Sequence, residues 1–207
     1  VIVHDIEQRS DDWFVLRAGM PTASEFSKLV TSTGEPSKSM KDYAELLAAE
    51  KYAGRPLSSF GGNASTQRGA EMEAEAIMAY ELAHHEVESV GFITDDLQRY
   101  GCSPDGLVGT DGLIEIKCLE TKAHTKALLY FAKHKKAPPK YIQQTQGQIF
   151  ICEREWCDLF FYHPNLPTLV IRQFPDPDFI RGLKIQLAAV IRDRDEVFKQ
   201  IKAMEAA

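Results

Sequence analysis

The stretch from Ser103 to Lys117 constrains this chain more than any other. It reads Ser103-Pro104-Asp105-Gly106, then Leu107-Val108, a turn at Gly109-Thr110-Asp111-Gly112, and finally Leu113-Ile114-Glu115-Ile116-Lys117. An Asp-Gly pair between two apolar runs predicts a β-hairpin. Strand side chains alternate, so Glu115 and Lys117 share one face, and Ile114, Ile116 and Cys118 share the other. A carboxylate and an ammonium therefore stand roughly 6–7 Å apart along one strand, and the turn brings Asp105 back towards them. Two carboxylates can hold a divalent cation, and a lysine beside them can position or deprotonate a water. The same residues also suit a plain half-exposed strand with charges in solvent. The neighbouring segments decide between the two.

Charge narrows the partners. A net charge of −6 argues against indiscriminate nucleic-acid binding. Between Cys118 and Lys140, however, six lysines (Lys122, Lys126, Lys133, Lys135, Lys136 and Lys140) stand against one acid, Glu120. This basic segment directly follows the carboxylate–lysine strand; its plain alternative is a solvated helix and loop. Cys102, Cys118, Cys152 and Cys157 are too irregularly spaced for a zinc site and read as thiols of a reducing compartment. No apolar run is long enough for a bilayer, and the first residues lack the basic and apolar regions of a signal peptide, so a cytoplasmic protein without membrane contact is expected.

Along the chain, Ser10-Asp11-Asp12 predicts a helix start with Ser10 as N-cap; Gly19 and Pro21 end it, with Arg17 in the last turn. Thr22-Ala23-Ser24-Glu25 has the form of a capping box for a second helix. A helix N-terminus with hydroxyls at Thr22 and Ser24 and with Arg17 nearby suits a phosphate; plain capping beside an exposed arginine is the alternative. A third helix is expected from about Ser39 to Tyr52, followed by a mobile Gly/Ser/Asn-rich loop at Ser58–Ser65. From Thr66 to His84 a helical stripe of Gly69, Met72, Ala76, Ile77 and Tyr80 contains Glu73, with Glu71 and Glu75 beside it. A carboxylate on a buried face needs either an arginine or a metal.

Strands are expected at Val87–Ile93, from Tyr100 through the hairpin, and at Trp156–Tyr162 and Leu169–Phe174. A helix is expected at Ala123–Lys133, with Leu128, Leu129, Tyr130 and Phe131 supplying apolar surface. After Pro138-Pro139, a helix from about Lys140 to Ile151 places Tyr141, Gln144, Thr145 and Gln148 on one wet, hydrogen-bonding face. A last long helix, capped by Asp176 or Asp178, carries the stripe Ile180, Leu183, Leu187, Val190, Ile191 and Ile201. The order predicts an α/β fold with a mixed sheet flanked by helices. At 207 residues one domain is expected, with a helical part at about 1–85, a core at about 66–175 and a terminal helix at about 176–205.

Asp105 followed by Glu115-Ile116-Lys117, with a helical Glu73 ahead, resembles the PD-(D/E)xK (restriction-endonuclease-like) nuclease core. Leu16-Arg17-Ala18-Gly19, Thr22-Ala23-Ser24-Glu25, Gly69-Ala70-Glu71-Met72-Glu73, Cys102-Ser103-Pro104-Asp105-Gly106, and Tyr141 with Gln144 and Gln146 are together similar to the phage lambda exonuclease, or YqaJ-type viral recombinase, family. The resemblance implies a processive, metal-dependent 5′→3′ exonuclease on double-stranded DNA ends. It would release 5′-mononucleotides and leave 3′ overhangs for phage-type recombination in a bacterial host. It implies a homotrimeric ring and a single-strand annealing protein as partner.

By motif, Asp105, Glu115 and the backbone carbonyl of Ile116 would hold Mg²⁺, with Glu73 at a second ion and Mn²⁺ as a substitute. Lys117 would position the attacking water, and Gln144 and Tyr141 would line the site. Arg17, Thr22, Ser24 and Ser103 would receive the 5′-phosphate, with Gln144 near it. Competing expectations are a restriction- or repair-type endonuclease, an iron–sulfur exonuclease, which would need four suitably placed cysteines, and a non-catalytic DNA-end-binding module.

Overall fold

The hairpin from Ser103 to Lys117 forms one side of a four-stranded sheet, and it is the strand order there that buries it. The computed structural model describes residues 1–57 and 64–205, with the side chains of residues 64–71 outside that description. The loop expected at Ser58–Ser65 falls largely outside the described residues, as does the side of the helical stripe at Gly69. Strand β1 (Ile2–His4) is followed by helix α1 (Asp11–Arg17), a 3₁₀ segment (Ala23–Lys28), α2 (Met40–Ala53) and α3 (Ala64–Ala83). Next come β2 (Phe92–Thr94), β3 (Gly101–Cys102), β4 (Gly106–Val108), β5 (Gly112–Cys118) and α4 (Thr121–His134). A short 3₁₀ turn (Pro139–Tyr141), α5 (Ile142–Cys152), β6 (Trp156–Tyr162), β7 (Leu169–Gln173) and α6 (Pro177–Glu205) complete the order.

Two sheets result, of order β1-β2-β3 and β4-β5-β6-β7. The hairpin is β4–β5, antiparallel, with Gly106 opposite Ile114 and Val108 opposite Gly112, and Gly109 turns at φ +56°. A left-handed φ of this kind suits glycine. Strand β5 then pairs in parallel with β6, and β6 pairs antiparallel with β7. The sheet is therefore mixed, as its sequence pattern predicts, but β5 is interior rather than half-exposed.

One face, with Ile114, Ile116, Phe160 and Tyr162, packs under Ala76 and Tyr80 of α3. The other, with Leu159, Phe161 and Ile171, meets Ala127 of α4 and Tyr141. The largest core lies beside this layer, where Phe26, Leu29, Tyr43 and Leu47 meet Ile149 and the α6 stripe of Phe179, Leu183, Leu187 and Val190. Among the described residues no helix is long and apolar enough to cross a membrane.

Several expectations need correction. The strand placed at Val87–Ile93 lies later, at β2; Glu88 makes only an isolated bridge to Leu107. Gly91 sits where a Cβ would lie 2.1 Å from the Ile6 carbonyl oxygen, so this stretch is pinned against the N-terminal segment instead of a neighbouring strand. The capping box at Thr22 does not form. Ala23–Lys28 is a 3₁₀ segment without a side-chain cap, because the Thr22 hydroxyl faces Arg17 instead. In α4 it is His124 and Ala127 that are buried, while Leu129 is exposed. The face of α5 read as wet is mostly buried: Thr145 bonds back to the Tyr141 carbonyl at 3.0 Å, and Gln148 is 1 % exposed. Asp176 caps α6, its Oδ1 accepting from the amides of Asp178 and Phe179.

Candidate active site

Alternation along β5 sends Glu115 and Lys117 to the α5 side of the sheet, as the hairpin reading requires. There Lys117 Nζ donates to Glu115 Oε1 at 2.5 Å and to Gln144 Oε1 at 3.1 Å. Gln144 Nε2 closes the triangle onto Glu115 Oε1 at 2.7 Å. Gln148, one helical turn on, donates to Glu115 Oε2 at 2.5 Å. Glu115 is buried, so these neutral amides and one ammonium replace its lost water. Tyr141 places its ring 5.7 Å from Lys117 Nζ, and its buried hydroxyl finds no hydrogen-bond partner among the described residues.

Asp105 comes from the turn before β4. Its Oδ2 accepts from the Ile116 amide at 2.5 Å, which locks the carboxylate against the middle of β5. Desolvation pushes its pKa well above the usual carboxylate range, and Glu115 and Glu73 push the same way. For Lys117, burial pulls the pKa down, but the charges of Glu115 and Asp105 outweigh it and leave the ammonium raised. Glu73 does face this region, partly buried, but its carboxylate takes the first of the two partners that its place on α3 demanded. Arg9 Nη2 donates to Glu73 Oε2 at 2.9 Å. Arg9 itself has φ +70°, and it lines with Glu73 and Asp105 a polar cavity of about 430 Å³.

The donor set fits a divalent cation of the Mg²⁺ type. The charges of Glu115 and Glu73 both bear on Asp105, and among the described residues Lys117 and Arg9 are the cations paired with this group. Buried polar atoms around Glu115, Gln148 Oε1 and the Tyr141 hydroxyl, lack protein partners among the described residues. Among those residues no three His, Cys, Asp or Glu side chains form a ready cage. Mg²⁺ seldom has one, since it keeps waters and takes substrate phosphate oxygens beside one or two carboxylates.

The second group of sequence-predicted residues also converges. Ser10 caps α1, its hydroxyl accepting from the Trp13 amide at 3.2 Å, and Arg17 ends that helix with 8 % exposure. Arg17 Nη2 donates to Thr22 Oγ1 at 3.2 Å and to Ser24 Oγ at 3.5 Å. Its guanidinium lies 4.0 Å from the Trp13 ring centroid. Burial lowers its pKa to about 10, so it remains a cation at neutral pH. An isolated bridge of Thr22 to Gly101 brings this cluster beside β3. There the Ser103 hydroxyl accepts from Trp13 Nε1 at 2.8 Å. Ser103 stands two residues before Asp105.

Four contributors escape the sequence reading as site residues. Gln148 has a signal, one turn after Gln144 on the same face. Trp13 has a weaker one, four residues before Arg17 on α1. Gln8, which donates to the Pro104 carbonyl at 3.1 Å, and Arg9 come from an irregular segment with no periodicity to read. Beside Tyr141, a groove of about 520 Å³ is lined by Lys122, Lys126, Tyr130 and Lys140, so part of the basic segment flanks the site.

Residues 12–155 match the YqaJ-like viral recombinase domain. No curated protein matches the chain in sequence. Among solved structures, the alkaline exonuclease LHK-Exo from Laribacter hongkongensis is 31% identical with a TM-score of 0.82, over 95% of this chain and 98% of that one. The same enzyme in complex with dAMP aligns at 30% identity and a TM-score of 0.82, over 95% and 98% of the two chains. A phage-related exonuclease from Haemophilus somnus 129PT, 16% identical, shares the fold with a TM-score of 0.70 over 88% of this chain and 96% of its own. These likenesses support a nuclease of the lambda exonuclease type, built on the PD-(D/E)xK fold. With more than half its length matched, the chain belongs to the family of YqaJ-like viral recombinase domains.

Proposed function

We propose that the chain is a metal-dependent, processive 5′→3′ exonuclease on double-stranded DNA ends, releasing 5′-mononucleotides and leaving 3′ overhangs. The observation that carries this reading is the adjacency of two sites: the Asp105–Glu115–Lys117 cluster, and the Arg17–Thr22–Ser24–Ser103 cluster that ends two residues before Asp105. A cationic hydroxyl pocket beside the cutting residues suits an end-directed nuclease: holding a terminal phosphate fixes which bond meets the carboxylates.

Asp105, Glu115 and the Ile116 carbonyl would hold Mg²⁺ or Mn²⁺, and Glu73, released from Arg9, would serve a second ion. The bound cation would supply positive charge to the phosphoryl oxygens of the scissile bond. Gln144 and Gln148 hold Glu115 in place for that role, and the Ile116 amide holds Asp105. Lys117 Nζ positions the attacking water. A cation held by the two carboxylates would offset the charges that keep the Lys117 ammonium raised against burial, so that Nζ could take the water's proton. Tyr141 packs beside Nζ. Arg17, Thr22, Ser24 and Ser103 receive the 5′-phosphate, with Gln144, held by Glu115 and Lys117, as a further contact to the DNA.

Family membership extends the proposal to a single exonuclease domain, a homotrimeric ring around duplex DNA, a phage-type single-strand annealing partner and action in the bacterial cytoplasm. The lysines of the groove beside Tyr141 would face the DNA backbone and offset the acidic net charge. The test is digestion of linear duplex carrying a 5′-phosphate on one strand only, with Mg²⁺ or with EDTA. Mononucleotides should come from the phosphorylated strand, and only with metal. Arg17→Ala should erase the preference for that strand. Release without metal, or internal cuts in circular duplex, would contradict the proposal.

A further inference from the structure

We infer that Trp13 is the positioning residue of the terminal-phosphate pocket: its indole N–H occupies one lone pair of the Ser103 hydroxyl and so turns that hydroxyl's own proton towards the anion. The inference rests on the pocket being a 5′-phosphate site. A serine hydroxyl has one proton and two acceptor positions, whereas an indole can only donate. With Trp13 Nε1 at 2.8 Å, Ser103 is the acceptor of that pair. Its proton must therefore point elsewhere, and among the described residues no side chain or carbonyl receives it. Accepting from Trp13 closes one of the positions that a free hydroxyl proton would otherwise visit.

The same side chain orders the other half of the pocket. Trp13 and Arg17 are one helical turn apart on α1, and the guanidinium stacks 4.0 Å from the indole centroid, with Phe92 at 5.7 Å. Stacking on a ring face leaves the edge of the guanidinium, with its N–H groups, for Thr22, Ser24 and an anion. Trp13 is itself only 6 % exposed, so it does not meet the substrate. It acts through Ser103 and Arg17. Ser10 in turn fixes Trp13 by capping its backbone amide.

The test is the ratio of digestion rates on 5′-phosphorylated and 5′-hydroxyl duplex ends, measured in Mg²⁺ for the wild type, Trp13→Phe, Ser103→Ala and the double variant. Trp13→Phe keeps an aromatic ring under Arg17 but loses the N–H, and should lower the preference for phosphorylated ends by about tenfold, the size of one hydrogen bond to a charged network. The double variant should lose no more than Ser103→Ala alone, since Trp13 works through that hydroxyl. Replacing Trp13 with benzothienylalanine, which substitutes sulfur for the N–H at nearly constant shape, should give the same loss and covers the case in which Trp13→Phe fails to fold. A preference unchanged in both Trp13 variants, or a loss that adds in full to that of Ser103→Ala, would overturn the role of Trp13 alone. A wild type that does not distinguish the two ends would overturn the pocket and the Trp13 role together.

Discussion

Two faces of one sheet each bury a carboxylate, and the protein treats them in opposite ways. On the α3 face, Asp158 of β6 is 1 % exposed. It accepts from the Tyr80 hydroxyl at 2.6 Å and from two nitrogens of Arg172 at 2.8 Å. Arg172 stacks 3.6 Å from the Trp156 centroid, which fixes the fork. That carboxylate is fully paired: one charge meets one charge. On the α5 face, Glu115 shares one ammonium with Asp105, and its remaining partners are neutral amides. Among the described residues, Asp105 has one backbone donor, the Ile116 amide, and two carboxylate neighbours. A buried charge without its own counter-charge is expensive. The first arrangement stabilises the fold; the second leaves negative charge to be neutralised from outside, which is what a cation-dependent site requires.

This contrast can be broken at either side. The largest effect is expected at Lys117: Lys117→Ala should lower digestion by about 10³-fold while filter binding of duplex DNA is retained. Loss of binding and turnover together would make Lys117 a structural partner of Glu115. Asp158→Asn should do the reverse, lowering stability to urea by about 2–3 kcal/mol, with less change in the cation requirement than any substitution at Asp105. The value is placed low because Arg172 keeps solvent contact once its partner is gone. A smaller effect is expected in the basic groove. Lys126→Ala should weaken duplex binding evenly across sequences and flatten the dependence of log K on log salt by about one unit. An unchanged slope would place Lys126 away from the DNA.

The sign of the pH dependence follows from the same crowding. A carboxyl whose pKa is raised on folding binds more protons in the native state than in the unfolded chain. Stability in EDTA should therefore fall as pH rises through the raised value of Asp105, and Asp105→Asn should not show that fall.

The sequence reading reached the catalytic-type cluster because strand alternation and an Asp-Gly turn are local properties: Asp105, Glu115 and Lys117 lie within fifteen residues of one another. Helical spacing likewise exposed Glu73, Gln144 and Arg17. It misjudged burial wherever a distant partner decided the matter. Nothing near β5 announces that β6, some forty residues on, pairs with it in parallel and encloses Glu115. The capping box at Thr22 was a sound local pattern overridden by Arg17, which claims the same hydroxyl. The contacts from Gln8 and Arg9 depend on an irregular segment lying across Val90 and Pro104, and irregular backbone has no period to read.

The most direct measurement of the central contrast is a calorimetric titration of Mn²⁺ into the wild type and Asp105→Asn, in two buffers of different ionisation enthalpy. If the crowded carboxylates form the cation site, the wild type at a pH below the raised pKa of Asp105 binds Mn²⁺ with release of protons and with affinity that rises with pH, because proton and cation compete for that carboxylate; Asp105→Asn shows little binding and no proton release. Equal binding by the two proteins, or binding without proton release, would contradict it.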